Sequence, residues 1–453
     1  AMTPVERRDP QATANRRTLA ALAAEAPGVD WAAWFGATGV DAASSTVGEF
    51  IVSQPAFLQA AAAQATQAPR AAWQTYLRVR LLDALAPWLP AAFREAHFDY
   101  RERTLRGLQA PPPRGEELIR LIGGATGWAP MGQALGELYV REAFSPRAQQ
   151  RALQLIEDIR SAMRTRIDAL DWMGPATKAR AQAKLAAMAP QVGAPDRWPD
   201  YTGLAMRADD PAGNALRAAA WGWAQRRAEL GRPTDRQRWQ TSPHIVNAFA
   251  GSLNRIVFPA GILQPPFFDA EGDDAANYGG IGMVIGHEII HHFDDRGRQF
   301  DADGNLADWW APEDAAAYRA RAERVVALYG AFEPLPGLRI NGRQMLGENI
   351  SDLGGLQIAF DAYRIALARQ RAAGTPAPVV DGRTPEQRFF VANAVIWRTQ
   401  QRAQALEQQI RTGQHSPGPY RVRGPMAQMP AFAAAFGCRP GEPMAAADPV
   451  AVW

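Results

Sequence analysis

Residues 287–291 read His-Glu-Ile-Ile-His, and these five carry the densest chemistry in the chain. On a helix, positions i and i+4 share a face, so His287 and His291 can aim both imidazoles at one point. Glu288 stands about 100° further round, near enough to handle a water held at that point without ligating anything itself. Two neutral nitrogens beside a carboxylate suit a catalytic zinc, which acidifies its water and needs a base to take the proton. The chemistry implied is metal-assisted hydrolysis of an amide.

Three fixed residues make a short pattern, and an amphipathic helix with surface histidines would show it too. Two features favour the metal. The chain has six histidines, and three of them, His287, His291 and His292, fall in this segment. The preceding run, Gly279 to Gly286, is apolar and uncharged, which predicts a buried helix. Burying His287, Glu288, His291, Asp294 and Asp295 is costly unless they have partners. Asp294 lies one turn past His291 and can accept its second ring N–H, fixing the tautomer. Alone, it would also pass for a surface carboxylate near a helix end.

A catalytic zinc takes three protein ligands and keeps one position open. Residues 346–356 read Leu-Gly-Glu-Asn-Ile-Ser-Asp-Leu-Gly-Gly-Leu and again set two acids at i and i+4. That geometry suits Glu348 as the third ligand and Asp352 as the group that orients His287. Without the first motif, the same stretch would read as a helix start with two solvated acids.

The pair of motifs, Gly286–Asp295 and Gly347–Leu356, resembles that of the neprilysin family of zinc metallopeptidases, which includes the bacterial endopeptidase O group. Further blocks agree: Val246–Phe249, Ile256–Phe268, His415-Ser416-Pro417-Gly418 with Arg421, and the terminal Val452-Trp453. The likeness is close from about residue 240 onward, and weaker but in register from Arg7-Arg8-Asp9-Pro10 to about residue 210.

Carried over residue by residue, the resemblance implies one zinc per chain, held by His287, His291 and Glu348. It implies Glu288 as general base and then as the acid that protonates the leaving amine. Asp294 and Asp352 would orient the ligands, and His415 would donate to the oxyanion of the tetrahedral intermediate. Asn247 and the Ala248 backbone would hold the substrate main chain as an added strand. Arg421 would bind a substrate carbonyl or stabilise the site. Taken alone, His415 is a loop histidine ahead of a Ser-Pro-Gly turn, and Arg421 a solvated charge in an Arg-rich tail. Ile262, Phe267, Ile396 and Trp397 stand where the family builds a hydrophobic S1′ pocket. Met283 and Val284, one turn ahead of His287, could line a pocket next to the metal. Cleavage would then fall on the amino side of large apolar residues, although each of these six, taken alone, reads as core before pocket. Two departures are visible. Ile290 and His292 replace a Thr and a small residue, with His292 expected to turn away from the metal, and Ala250 replaces an aromatic.

The elements that must position these groups point to a mainly α protein with a small β portion, in the α+β class. Helical patterning runs through 56–96, 114–143 and 146–190, with a loop at 110–115, a break at 195–199 and strand-like residues at 244–258. The resemblance implies a thermolysin-like zinc catalytic domain over 213–453, lacking its N-terminal part, and a large all-helical capping domain over 1–212. Such a cap would enclose a cavity that admits peptides and excludes folded proteins. Asp301–Asn305 imitates a calcium loop, but Pro312 stands where the bidentate Glu should be, so a polar turn is expected.

With 453 residues, 47% of them hydrophobic and 21% charged, the chain can bury a large core in two domains. Its 49 basic and 46 acidic side chains give no field for nucleic acid or an anionic membrane. No apolar run reaches the ~18 residues of a membrane span. Cys438 is the sole cysteine, so no intrachain disulfide can form, and it is expected to be a small buried residue. Ala1 precedes Met2, and the family carries a further segment ahead of the Arg7 region. The compartment is therefore open, with an extracytoplasmic one such as the periplasm favoured over the cytoplasm. Two readings of function follow: a zinc endopeptidase acting on oligopeptides, or a catalytically incomplete peptide-binding fragment whose missing segment could be a second chain. An aminopeptidase fits less well, because no Gly-x-Met-Glu-Asn motif is present to grip a free amino terminus.

Overall fold

The computed structural model describes residues 2–41, 48–124, 129, 131–375 and 377–453. It is mainly helical with little strand, in the α+β class expected. The chain forms two compact units, one of Ala1–Ile122 with Pro199–Arg238 and one of Gly123–Trp198 with Trp239–Trp453. This differs from a single cut at residue 212. The helix Pro211–Arg227 lies wholly within the first unit, and residues 123–198 join the second.

In the first unit, the helical pattern of 56–96 resolves into Pro55–Gln67, Arg70–Leu85 and Ala91–Phe98, interrupted near Pro69 and Pro90 because proline supplies no N–H to continue a helix. Thr18 and Asp30 cap the helices Leu19–Glu25 and Trp31–Ala37 by accepting the N–H groups of Ala21 and Ala33. Leu22, Ala26, Trp31 and Ala62 form its small core. The unit is not purely helical, since Arg16–Arg17 pairs antiparallel with Phe50–Ile51.

In the second unit, helix α1 (Pro146–Ala169) starts at Ser145, which caps it through the Ala148 N–H. Its buried residues, Ala148, Ala152, Leu155, Ile156, Ile159, Ala162, Met163 and Ile167, recur at helical spacing. Each large side chain among them contributes about 1.5–3 kcal/mol on burial. Helix α2 (Pro175–Ala186) follows, and then strand β1 (Ala189–Gly193), where the sequence pattern suggested that the helix continued to 190. β1 exists because it pairs in parallel with a distant strand, a non-local contact that local propensity does not show. The sheet order is β1-β3-β2, with β2 (Phe249–Gly251) antiparallel to β3 (Arg255–Pro259) and at the edge. All five residues of the central β3 are buried, as its Ile256-Val257-Phe258 run requires.

The helices of this unit's core that matter to the site are α3 (Met283–His291), α4 (Leu346–Ala372), α5 (Pro385–Ile396) and α6 (Gly418–Ala427). Val452 and Trp453 are buried, with the Trp453 ring 5.5 Å from that of Phe293 just beyond α3. Asp301 accepts the N–H groups of Asp303 and Asn305, giving the polar turn expected there. Cys438 is partly exposed rather than buried, because it follows the end of the short helix Pro430–Phe436. Among the described residues, no helix is long and apolar enough to cross a membrane.

Candidate metal centre

Helices α3 and α4 lie side by side because two glycines meet where they touch. A Cβ on Gly286 would fall 2.5 Å from the Gly355 carbonyl oxygen, and one on Gly355 would fall 2.5 Å from the His287 nitrogen. This approach sets the histidines of α3 against the acids in the first turns of α4. Every residue from Met283 to Ile290 is buried, as the apolar run ahead of His287 predicts.

His287 and His291 turn their Nε2 atoms to one oxygen, Glu348 Oε2, at 3.4 and 3.5 Å. Behind them the Nδ1 atoms are held by carboxylates, His287 by Asp352 at 2.8 Å and His291 by Asp294 at 2.7 Å. Both orienting acids are therefore where the i, i+3 and i, i+4 spacings put them. Glu348 Oε2 is buried and accepts no well-aligned hydrogen bond among the described residues, although His415 Nε2 also lies 3.1 Å away. Three ligand atoms, one each from His287, His291 and Glu348, lie within 4.8 Å of one another. An orphaned buried carboxylate oxygen facing two imidazole nitrogens fits a metal ion, and two nitrogens with one oxygen is a donor set that zinc accepts.

Burial pushes the Glu348 carboxyl up, but His291, His287 and His415 outweigh it and hold the group well below the usual carboxylate range. Asp352 is likewise lowered against burial, by Arg421 and His287. Arg421 is buried and grips Asp352 with two bonds, Nε to Oδ2 at 2.8 Å and Nη2 to Oδ1 at 2.6 Å. The guanidinium also sits 3.8 Å above the Trp397 ring. These contacts tie Arg421 to the acid behind His287. Arg421→Met would strand a buried carboxylate, so we expect it to destabilise the fold by about 3–5 kcal/mol in denaturant unfolding. A loss under about 1 kcal/mol would contradict the pairing.

Glu288 is buried on α3 next to His287, and the His415 side chain is about half exposed. Ser416 Oγ donates to Asn349 Oδ1 at 2.7 Å and ties the His415 loop to α4. Asn247 is exposed and Ala248 buried, immediately ahead of the edge strand β2, which lies beside α3. Ile262, Val284 and Ile396 are buried in the main core, with Phe267 and Trp397 partly buried against it. Met283 is wholly buried and reads as core, one of the two alternatives that its sequence position left open. His292 engages the Arg255 carbonyl on β3 at 2.9 Å, so it fastens α3 to the sheet. Ser351 was not foreseen: its Oγ lies 3.1 Å from His291 Nδ1, and only its place one turn past Glu348 could have signalled it.

This fold and this triad define a metallopeptidase-type centre. Residues 1–195 and 247–451 both match Peptidase family M13. The chain belongs to that family, the neprilysin family. It is 34% identical to Neprilysin-2 of Drosophila melanogaster over 99% of its own length and 60% of the relative's. Against human Endothelin-converting enzyme-like 1, identity is 33% over 99% of this chain and 57% of that protein. Among solved structures, the Mycobacterium tuberculosis zinc metalloprotease Zmp1 in complex with inhibitor aligns with a TM-score of 0.90 at 40% identity, covering 98% of this chain and 66% of the other. PepO from Lactobacillus rhamnosis aligns at 0.84 and 26%, covering 98% and 67%. The chain thus spans about 60% of the length of the first of these relatives. These comparisons give no support to a second chain as partner.

Proposed function

We propose that the protein is a zinc-dependent endopeptidase that cuts oligopeptides on the amino side of large hydrophobic residues. The convergence of His287, His291 and Glu348 on one point carries this reading, and family membership supports it. Zinc held there would supply Lewis acidity to the scissile carbonyl and the attacking water.

The chain's own residues would do the rest. Glu288, one position from a ligand, takes the proton from the attacking water and delivers it to the leaving amine. His415 reaches the mouth of the site with a half-exposed ring and donates to the developing oxyanion. Asn247 and the Ala248 backbone, immediately ahead of an edge strand beside α3, receive the substrate main chain. Asp352 and Asp294 hold the two imidazoles in one tautomer and orientation. Ile262, Phe267, Val284, Ile396 and Trp397 supply the apolar wall that selects the residue after the cut.

Digesting a mixed oligopeptide pool and sequencing the products by mass spectrometry tests the substrate class. New amino termini rich in Phe, Leu and Ile are expected. Cuts following basic residues, or release of single amino-terminal residues, would overturn the specificity. Glu348→Gln keeps the side chain's size but removes its ligand charge. Its zinc dissociation constant should rise by at least the ~100-fold that loss of a supporting group can reach. Competition with a chromophoric chelator measures it.

A further inference from the structure

Lys184, in the last turn of α2, is 1% exposed. Burying an ammonium is unfavourable unless it is fully bonded, and this one is. Its Nζ donates to the carbonyls of His292 at 2.7 Å, Gly297 at 2.7 Å and Phe300 at 2.6 Å. Those three bonds use all three donors of a lysine. The rings of Phe293 and Trp309 flank it at 5.5 and 5.7 Å.

All three carbonyls belong to the turn that leaves α3, which is the turn that carries Asp294. From inside that turn, Asp294 Oδ1 accepts the N–H groups of Arg296 at 2.8 Å and Gly297 at 2.7 Å. Its other oxygen meets His291 Nδ1 at 2.7 Å. Gly297 is therefore gripped from both sides, its N–H by Asp294 and its C=O by Lys184. The fit is tight, since a Cβ there would fall 1.9 Å from the His291 carbonyl oxygen. An apolar side chain could fill the same volume but could not hold these carbonyls.

We propose that Lys184 is a positioning residue for the metal centre: by clasping the His292–Phe300 turn it keeps Asp294 aimed at His291 and so tightens zinc binding. This rests on the zinc reading given above. The line of action runs from Lys184 to the turn, from the turn to Asp294, and from Asp294 to the ligand. Without the ammonium, three inward-facing carbonyls lose their donor and the turn must open to find others. Asp294 then loses the two N–H groups that fix its carboxylate, and His291 loses its fixed orientation.

The test is a double-mutant cycle on the whole chain, read as the zinc dissociation constant by chelator competition. Lys184→Met and Asp294→Asn should each raise that constant about tenfold or more, the range seen when groups behind a ligand are removed. The double variant should be little worse than Asp294→Asn, because both changes break one line of action. Leu155→Ala, a cavity in the same core on α1, should lower the melting temperature and leave the zinc constant near that of the parent. If Lys184→Met does not fold, Lys184→Gln takes its place in the cycle and should show the same non-additivity. A folded Lys184 variant that binds zinc like the parent, additive effects in the cycle, or equal weakening by Leu155→Ala would overturn the proposal. A parent chain that binds no zinc would instead overturn the zinc reading itself.

Discussion

Glu288→Gln is expected to bind zinc as tightly as the parent chain and to lose ~10³-fold or more of its turnover, within the range for a lost general base. Glu288 lies on α3 between the ligands His287 and His291 but is not among the three groups that converge. Gln fills the same volume and keeps the helix intact, yet cannot take a proton from water. The loss should therefore fall on kcat and kcat/KM alike, the signature of an interaction made in the transition state. Because the amide still donates and accepts hydrogen bonds, KM should move little. A variant with parental turnover would remove Glu288 from the mechanism. One that lost zinc as well would make it part of the metal's support instead.

The second large effect comes from a single methyl group where α3 and α4 touch. Gly355→Ala is expected to weaken zinc binding and lower the melting temperature together. Its Cβ would fall 2.5 Å from the His287 nitrogen and 2.8 Å from the His287 Cα. Both are backbone atoms, so no side chain can swing away and the two helices must part. Overpacking of this kind costs about 1–3 kcal/mol in a tight core. The cost to the site is larger than that figure suggests. His287 and His291 ride on α3 while Glu348 and Asp352 ride on α4, so any separation pulls the donor set apart. Metal sites tolerate errors of only about 0.5 Å. Thermal unfolding with and without added zinc checks this. The zinc-dependent gain in melting temperature should shrink in the variant, and an unchanged gain would show that helix separation is not what sets the site.

The parts of the site that were legible in the sequence are those governed by helical periodicity. His287 with His291, Glu348 with Asp352, and His291 with Asp294 each follow from spacings of three or four residues, and each is where the spacing puts it. What local pattern could not show was long-range pairing. β1 reads as the tail of a helix because its partner β3 lies more than sixty residues away. Nothing local marks Lys184 as buried, since the carbonyls that hold it are over a hundred residues distant. Long-range packing also joins α1 to the second unit, since it buries its apolar face in the core that α3 and α4 build. Arg421 shows the intermediate case. Its spacing carries no signal, family resemblance brought it to the site, and the two bonds to Asp352 appear only in the structure.

On the proposed reading, His287, His291 and Glu348 hold one zinc that is needed to cut peptides. Elemental analysis of the purified chain tests it most directly, paired with cleavage of a quenched peptide carrying Phe or Leu after the scissile bond. One zinc per chain is expected, with cleavage abolished by a chelator and restored by added zinc. Peptide cleavage that persists in zinc-free chain would contradict it, as would zinc that stays bound after His287 and His291 are both replaced by alanine.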